Sequence, residues 1–365
     1  MKLFLDVMYD DTKNARKIKS RDYNNEGKYP IIDQSSKNVI SYTDEIDGLY
    51  KDVPVIIFGD HTRRFKLVEE PFFIGADGTK VLKLCSSVYD YKFIYYYLLH
   101  KKIPDTGYNR HFKWVKEIEF PEIPRSIQSD IVKKFEVLND LISSKNKLLE
   151  LLDILIKSRF VDLFGDIELN EKKWKKIKFG ELIKSANNGL ARRGNDKVGN
   201  IVLRLIELQE NLINYTDPNR ILLTDDEKKR YRLLEGDLLF ARVNGNPKNV
   251  GRCATFYEYE EQVYHNDHII RISCDKSQLN SVFAAYLFNS EYGKNKISRK
   301  IKTSAGQYTI NQEGLKSIEI ILPPIVIQYS FAEFVKQINK LKADVQKSID
   351  KAQLLMDSLM QEYFG

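Results

Sequence analysis

Cysteine is scarce in this 365-residue chain: Cys85, Cys253 and Cys274 lie far apart and form no Cys-x-x-Cys pair. Neither a disulfide framework nor a zinc site follows from that spacing, and a reducing compartment is favoured. Long apolar runs are missing as well. The N-terminal Met-Lys-Leu-Phe-Leu reaches Asp6 after a handful of residues, and the most apolar later stretch, Tyr91 to Leu99, is too short to span a bilayer. A soluble, cytoplasmic protein is expected. No glycine-rich strand-to-helix turn marks a cofactor site. Gly75-Ala-Asp-Gly-Thr-Lys80 lacks the spacing of a phosphate loop and runs into the strand-like Val-Leu-Lys-Leu84, so it reads as a hairpin turn. His265-Asn-Asp-His268 crowds its donors together with no further ligand at metal spacing, and reads as a polar turn.

Charge is not lopsided. Lys and Arg exceed Asp and Glu by 58 to 51, a formal +7, which suits a polyanionic partner without demanding one. The length suits two domains, each able to bury its own core.

Two stretches of roughly 35 residues contain neither proline nor glycine, and each follows a proline-marked turn, Pro121 and Pro124 in one case and Pro323 and Pro324 in the other. They are copies. Shifting the chain by 200 residues without a gap matches Tyr108 to Tyr308, Lys116 to Lys316, Ile118-Glu119 to Ile318-Glu319, Pro124 to Pro324 and Ile127-Gln128 to Ile327-Gln328. The register continues through Asn139, Leu141, Lys147, Leu155 and Ser158 to Phe164-Gly165, which falls on Phe364-Gly365.

In the first stretch Ile131, Phe135, Leu138, Ile142, Lys145, Leu149, Leu152 and Ile156 step by fours and threes, a heptad seam on a helix. In the second, Phe331, Val335, Ile338, Lys342, Val345, Ile349, Ala352 and Met356 repeat those steps at the same offset. A lone amphipathic helix most simply packs on its own globular unit. Two matched seams can instead bury each other as an intramolecular coiled coil, with Lys145 and Lys342 helping to fix register. Such a rod is roughly 50 Å long at about 1.5 Å per residue, or about 15 base pairs of B-form DNA.

Residues 1–122 and 166–322 show short apolar runs between turn residues and read as mixed, strand-rich units. In the second unit, Asp237 to Val243, Asn244-Gly-Asn-Pro247 and Val250 to Tyr257 read as strand, turn, strand. Arg242, Asn244, Asn246, Lys248 and Arg252 crowd that turn, and Arg and Asn are the side chains that pair bidentately with guanine and adenine edges. In the first unit the strand Val53 to Phe58 leads into a loop carrying Arg63, Arg64 and Lys66. Phe72 to Leu84 and Val263 to Ile272 each read as strand, polar turn, strand, so the two units look like divergent copies.

These features resemble the specificity subunits of type I restriction-modification systems, and the resemblance covers the whole chain. It is carried by Tyr29-Pro-Ile-Ile-Asp33, Pro54 to Asp60 with Gly75 to Gly78, and Gly236-Asp-Leu-Leu-Phe-Ala-Arg242 with Asn244-Gly245 and Val250-Gly-Arg252. Leu322-Pro-Pro-Ile-Val-Ile-Gln328 is the most telling stretch; its first copy, Phe120 to Gln128, has the proline pair split. The first unit departs from the pattern, because it begins at Lys2-Leu-Phe-Leu5 where relatives have a tryptophan-led segment like Trp174 to Gly180, as a shortened start would leave it.

The resemblance implies an α+β fold: target-recognition domains at 1–122 and 166–322, and spacer helices at 123–165 and 323–365 forming an antiparallel coiled coil with pseudo-two-fold symmetry. It also implies a non-catalytic chain that binds double-stranded DNA and directs methyltransferase (modification) subunits and an endonuclease/translocase (restriction) subunit. S-adenosylmethionine, ATP and Mg belong to those partners, and no cofactor or metal is expected on this chain. No Asn/Asp-Pro-Pro-aromatic tetrapeptide of amino-methyltransferases is present. The helices stayed alike while the heads diverged, so the expected target is split and asymmetric, one half per head. A DNA reading would use Arg63, Arg64, Lys66, Asn109, Arg110 and His111 in the first unit. In the second it would use Arg192, Arg193, Arg242, Asn244, Asn246, Lys248, Arg252, Asn266, Ser304 and Gln307. The alternative is a coiled-coil scaffold with two protein-binding heads and no DNA readout.

Overall fold

A computed structural model describes residues 1–365 apart from Ala76, Tyr108 and Ala305, with Ser304 described by its backbone alone. The chain divides into two compact units, Met1–Leu148 with Val345–Gly365, and Leu149–Asp344.

The first unit is built on Val55–Gly59, whose run of β-branched and aromatic side chains favours a strand buried on both faces. It is the third strand of a four-stranded antiparallel sheet ordered Met8–Asp10, Thr79–Leu84, Val55–Gly59, Phe65–Val68. Because successive strand side chains point to opposite faces, Ile56, Phe58 and Leu82 join a core with Phe4, Phe93 and Phe112, while Val55, Ile57 and Val81 join a second core with Phe72 and Ile74. A smaller sheet centres on Tyr29–Ile32, antiparallel to Ser41–Thr43 and parallel to Phe73–Ile74.

The second unit repeats this plan in its own residues. Its four-stranded antiparallel sheet runs Ile183–Asn188, Ile269–Cys274, Leu238–Ala241, Cys253–Thr255, so that, as in the first unit, the first strand in the chain lies beside the fourth, then the second and the third. Its smaller sheet centres on Asn200–Leu203, antiparallel to Arg220–Ile221 and parallel to Val263–His265.

These sheets correct one expectation. Phe72 to Leu84 is no hairpin: Phe73–Ile74 pairs in the small sheet and Thr79–Leu84 in the large one, so the two strands belong to different sheets. Val263–His265 and Ile269–Cys274, on either side of residues 266–268, likewise belong to different sheets. Strand polarity is invisible to apolar periodicity, which is why a crossover looked like a hairpin.

The proline-free stretches are helices of 40 residues each, Arg125–Phe164 and Ile325–Phe364. Every predicted seam position is buried or half-buried. In the first unit Ile131, Phe135 and Leu138 share a core with Ala352, Met356, Met360 and Phe364. In the second, Leu152, Ile156, Phe160 and Phe164 pack with Phe331, Val335 and Ile338. There the two segments run antiparallel, since Lys342 pairs with Asp153 at 2.7 Å while the Phe331 ring meets Phe160 at 5.3 Å.

The glutamine after each proline turn is fully buried and makes the same bonds in both units. Gln128 Oε1 accepts from the amide of Asp90, and its Nε2 donates to the carbonyls of Val88 and Ile123. Gln328 Oε1 accepts from the amide of Asn280, and its Nε2 donates to the carbonyls of Gln278 and Pro323. Asp90 and Asn280 are the N-caps of Tyr91–His100 and Ser281–Asn289. Each glutamine thus ties a long helix to the start of a short one that covers the sheet.

Candidate nucleic-acid interface

In each unit the large sheet gathers polar loops at one end. In the second unit the loop 242–252 leaves Leu238–Ala241, residues 266–268 enter Ile269–Cys274, and residues 189–193 follow Ile183–Asn188. Antiparallel pairing puts all three at the same end. The predicted hairpin exists, with Phe240 paired to Cys253. Its tip, however, does not simply turn back: Val243 and Asn244 pair with Thr309 and Tyr308, drawing in a further strand pair, Lys302–Ser304 with Gln307–Thr309.

Asp267 is central to this end. Arg193 donates to its carboxylate at 2.6 Å and to His268 Nε2 at 2.9 Å, and Arg242 donates to its carbonyl at 3.1 Å. Arg193 is 54% exposed in its side chain. Arg192 forms a two-pronged pair with Glu227 at 2.8 Å, which pulls the Glu227 carboxyl down to about 2. Asn246 and Lys248 are exposed and Asn244 half-exposed; the Asn244 and Asn246 side chains accept from the amides of Asn246 and Lys248, which shapes the tip. Gln307 is exposed on its strand. The side chain of Ser304 lies outside what is described.

Two candidates in this unit face inward. Arg252 donates to the Leu205 carbonyl at 2.9 Å and to Gln209 at 3.3 Å, and burial lowers its pKa, so it braces the loop around Leu205. Asn266 is buried, its side chain accepting from the His268 amide at 3.1 Å. His265 is fully buried in its strand, with burial pushing it down to about 4.

The first unit offers a shorter turn at the equivalent end. Arg63, at a φ of 59°, donates to Asp105 at 2.7 Å, and Arg64 is exposed. Both line an open polar cavity of about 460 Å³ with Ser35, Ser36, Asn38 and Thr62. Arg110 is exposed, and so is Asn109, whose side chain donates to the Thr106 carbonyl. Tyr108, which the repeat matched to Tyr308, lies outside the described residues. Lys66 and His111 are the inward-facing pair here. Lys66 is buried and donates to the carbonyls of Asp33 and Lys37 at 2.6 Å, with burial lowering its pKa. His111 is fully buried against Asp60, whose carboxylate also accepts from the Phe112 amide at 2.7 Å.

Reading the sequence for cations missed the carboxylates that hold them. Asp105 sits in Pro104-Asp-Thr-Gly107, a turn signal, and Asp267 in a turn already singled out; neither offers a basic side chain to notice. Gln34 was missed too: it accepts from the His61 amide and donates to the Asp77 carbonyl, joining two loops. Among the described residues no group of His, Cys, Asp or Glu is placed to hold a metal ion, and no helix is long and apolar enough to cross a membrane. What the arrangement supplies is exposed and half-exposed guanidinium and amide groups on loops held by hydrogen bonds, groups whose chemistry suits recognition by hydrogen bonds.

Residues 171–353, half of the chain, match the type I restriction modification DNA specificity domain, and the chain belongs to that family. It is 30% identical over 192 residues to the type I restriction enzyme StySPI specificity subunit of Salmonella potsdam, covering 52% of this chain and 41% of that protein. It is 27% identical over 259 residues to the EcoKI specificity subunit of Escherichia coli strain K12, covering 67% of this chain and 55% of that protein. The matches therefore span about half the length of these relatives. In fold it resembles the crystal structure of a type I restriction-modification S subunit from M. genitalium, with a TM-score of 0.64 at 14% identity, covering 100% of this chain and 95% of the other.

Proposed function

We propose that this chain is the non-catalytic DNA-binding specificity subunit of a type I restriction-modification complex, reading a split, asymmetric target with one unit on each half. The observation that carries this reading is the same strand order in both units, delivering arginine-bearing loops to the same sheet end. The reading keeps target-recognition domains at 1–122 and 166–322, with 123–165 and 323–365 as helices of an antiparallel coiled-coil spacer in an internally duplicated chain. Arg63, Arg64, Asn109 and Arg110 would face one half-site. Arg192, Arg193, Arg242, Asn244, Asn246, Lys248, Ser304 and Gln307 would face the other. Lys66, His111, Arg252 and Asn266 would act by holding those loops.

The outer faces of the long helices support docking of partners. Val137 and Leu151 are 67% and 50% exposed on the first helix, and Val326 and Leu354 75% and 71% on the second, apolar side chains that a docked partner would cover. The partners in this reading are methyltransferase subunits, which would bind S-adenosylmethionine, and an endonuclease/translocase subunit, which would use ATP and Mg, all in the cytoplasm. Methylation mapping of genomic DNA from cells carrying this chain with its neighbouring partner genes tests the reading. A two-part motif with a fixed gap is expected; a contiguous motif, or none, refutes it.

A further inference from the structure

We propose that Asp267 is a specificity-determining positioning residue: it fixes the Arg193 guanidinium in one orientation and cancels its charge, so that the pair answers to a base edge rather than to any phosphate. The inference rests on the reading of this sheet end as a DNA-reading face, and deepens it.

A lone exposed arginine is a poor discriminator. Its long stem samples many directions, and its charge is satisfied by any phosphate along the duplex. Arg193 is not alone. One guanidinium nitrogen donates to the Asp267 carboxylate at 2.6 Å and to the Ala191 carbonyl at 3.0 Å, and the other to His268 Nε2 at 2.9 Å. Because arginine only donates, His268 Nε2 is the acceptor and the ring is neutral there. Burial and the nearby Arg193 charge both act to hold it so, since each lowers the His268 pKa. Asp267 is itself anchored, its amide donating to the Leu190 carbonyl at 3.0 Å, and its own carbonyl takes Arg242 at 3.1 Å. One residue thereby sets two arginines. The Nε–H of Arg193 has no partner among the described residues, so a donor remains for a ligand on a half-exposed side chain.

An acid on a surface that meets a polyanion weakens binding in general, so its presence favours selectivity over affinity. The first unit also pairs an exposed-loop arginine with an acid: Arg63 donates to Asp105 at 2.7 Å, and the Asp105 carboxylate accepts from the Gly107 amide at 3.0 Å.

The test compares the full chain with Asp267→Asn and Arg193→Gln by selection from a randomised duplex library and by salt titration on random duplex. Asp267→Asn should lose base preference at one pair of one half-site by on the order of tenfold. It should also bind random duplex more tightly, with a log–log salt slope steeper by about one. Arg193→Gln should lose preference at the same pair without that gain. A merely structural role lowers selected and random affinities together and overturns the proposal, as does an unchanged preference in Asp267→Asn. Should Asp267→Asn fail to fold, preference surviving in Arg193→Gln overturns it alone. A wild-type chain with no preference at all overturns the DNA reading beneath it.

Discussion

The two units share their scaffold and differ at their loops. Both carry the same four-stranded and three-stranded sheets and the same buried glutamine, yet residues 60–64 join two strands in the first unit where 242–252 join them in the second. The longer loop has recruited its own small sheet through Val243 and Asn244. The shorter one is pinned in place, with the Arg63 amide donating to the Gly59 carbonyl at 2.7 Å and Thr62 to the Gln34 carbonyl at 2.6 Å. The contrast teaches that position is held by the buried parts and chemistry is varied at the rim, which is what the proposed reading of two different half-sites would require.

The comparison can be broken most severely at the helices. Removing one heptad from each shortens the proposed spacer by about 10 Å, or about three base pairs, and should change the gap of the recognised target while leaving each half intact. Methylation mapping would show it, and an unchanged gap would mean that the helices set no distance. Next come the helix ends. Phe164 and Phe364 are buried among aromatic rings of their own units, so alanine at either should cost about 3–5 kcal/mol in chemical denaturation. Unequal losses would show that the repeated sequence packs with unequal quality.

The glutamines sharpen the same point on a smaller scale. Gln128→Ala and Gln328→Ala each strand a buried amide and carbonyls and should cost about 1–3 kcal/mol. A negligible cost in one of them would mean that the shared bonds are not a shared device. The smallest effect is on acid stability, and in the second unit it centres on Glu227. Pairing with Arg192 lowers Glu227 in the folded state, so its stabilisation is present above the ordinary carboxylate value of 4.5 and fades as pH falls toward about 2. Glu227→Gln should flatten the stability–pH curve in that window, and a curve identical to wild type would contradict the assignment.

Much of the frame was legible in the chain. The offset of 200 that aligns Gln128 with Gln328 and Phe164 with Phe364 also relates the observed helices Arg125–Phe164 and Ile325–Phe364. Seam positions were legible because helical packing is periodic. Sheet connectivity was not, since a strand's apolar pattern is the same whichever neighbour it pairs with, and Phe73–Ile74 went to the wrong partner. At the loops, basic residue type did not distinguish the side chains that face outward from those that face inward. Lys66 and Arg252 are held by backbone carbonyls from segments distant in sequence, which no local pattern reports.

The most direct test of separate reading takes the assembled complex and replaces Arg242 and Asn244 together by alanine, then maps the methylated motif beside that of the unaltered chain. Degeneracy confined to one half of the motif, at about 1–3 kcal/mol of discrimination per lost contact, is the predicted result. Equal degeneracy in both halves would contradict the claim that each unit reads its own half.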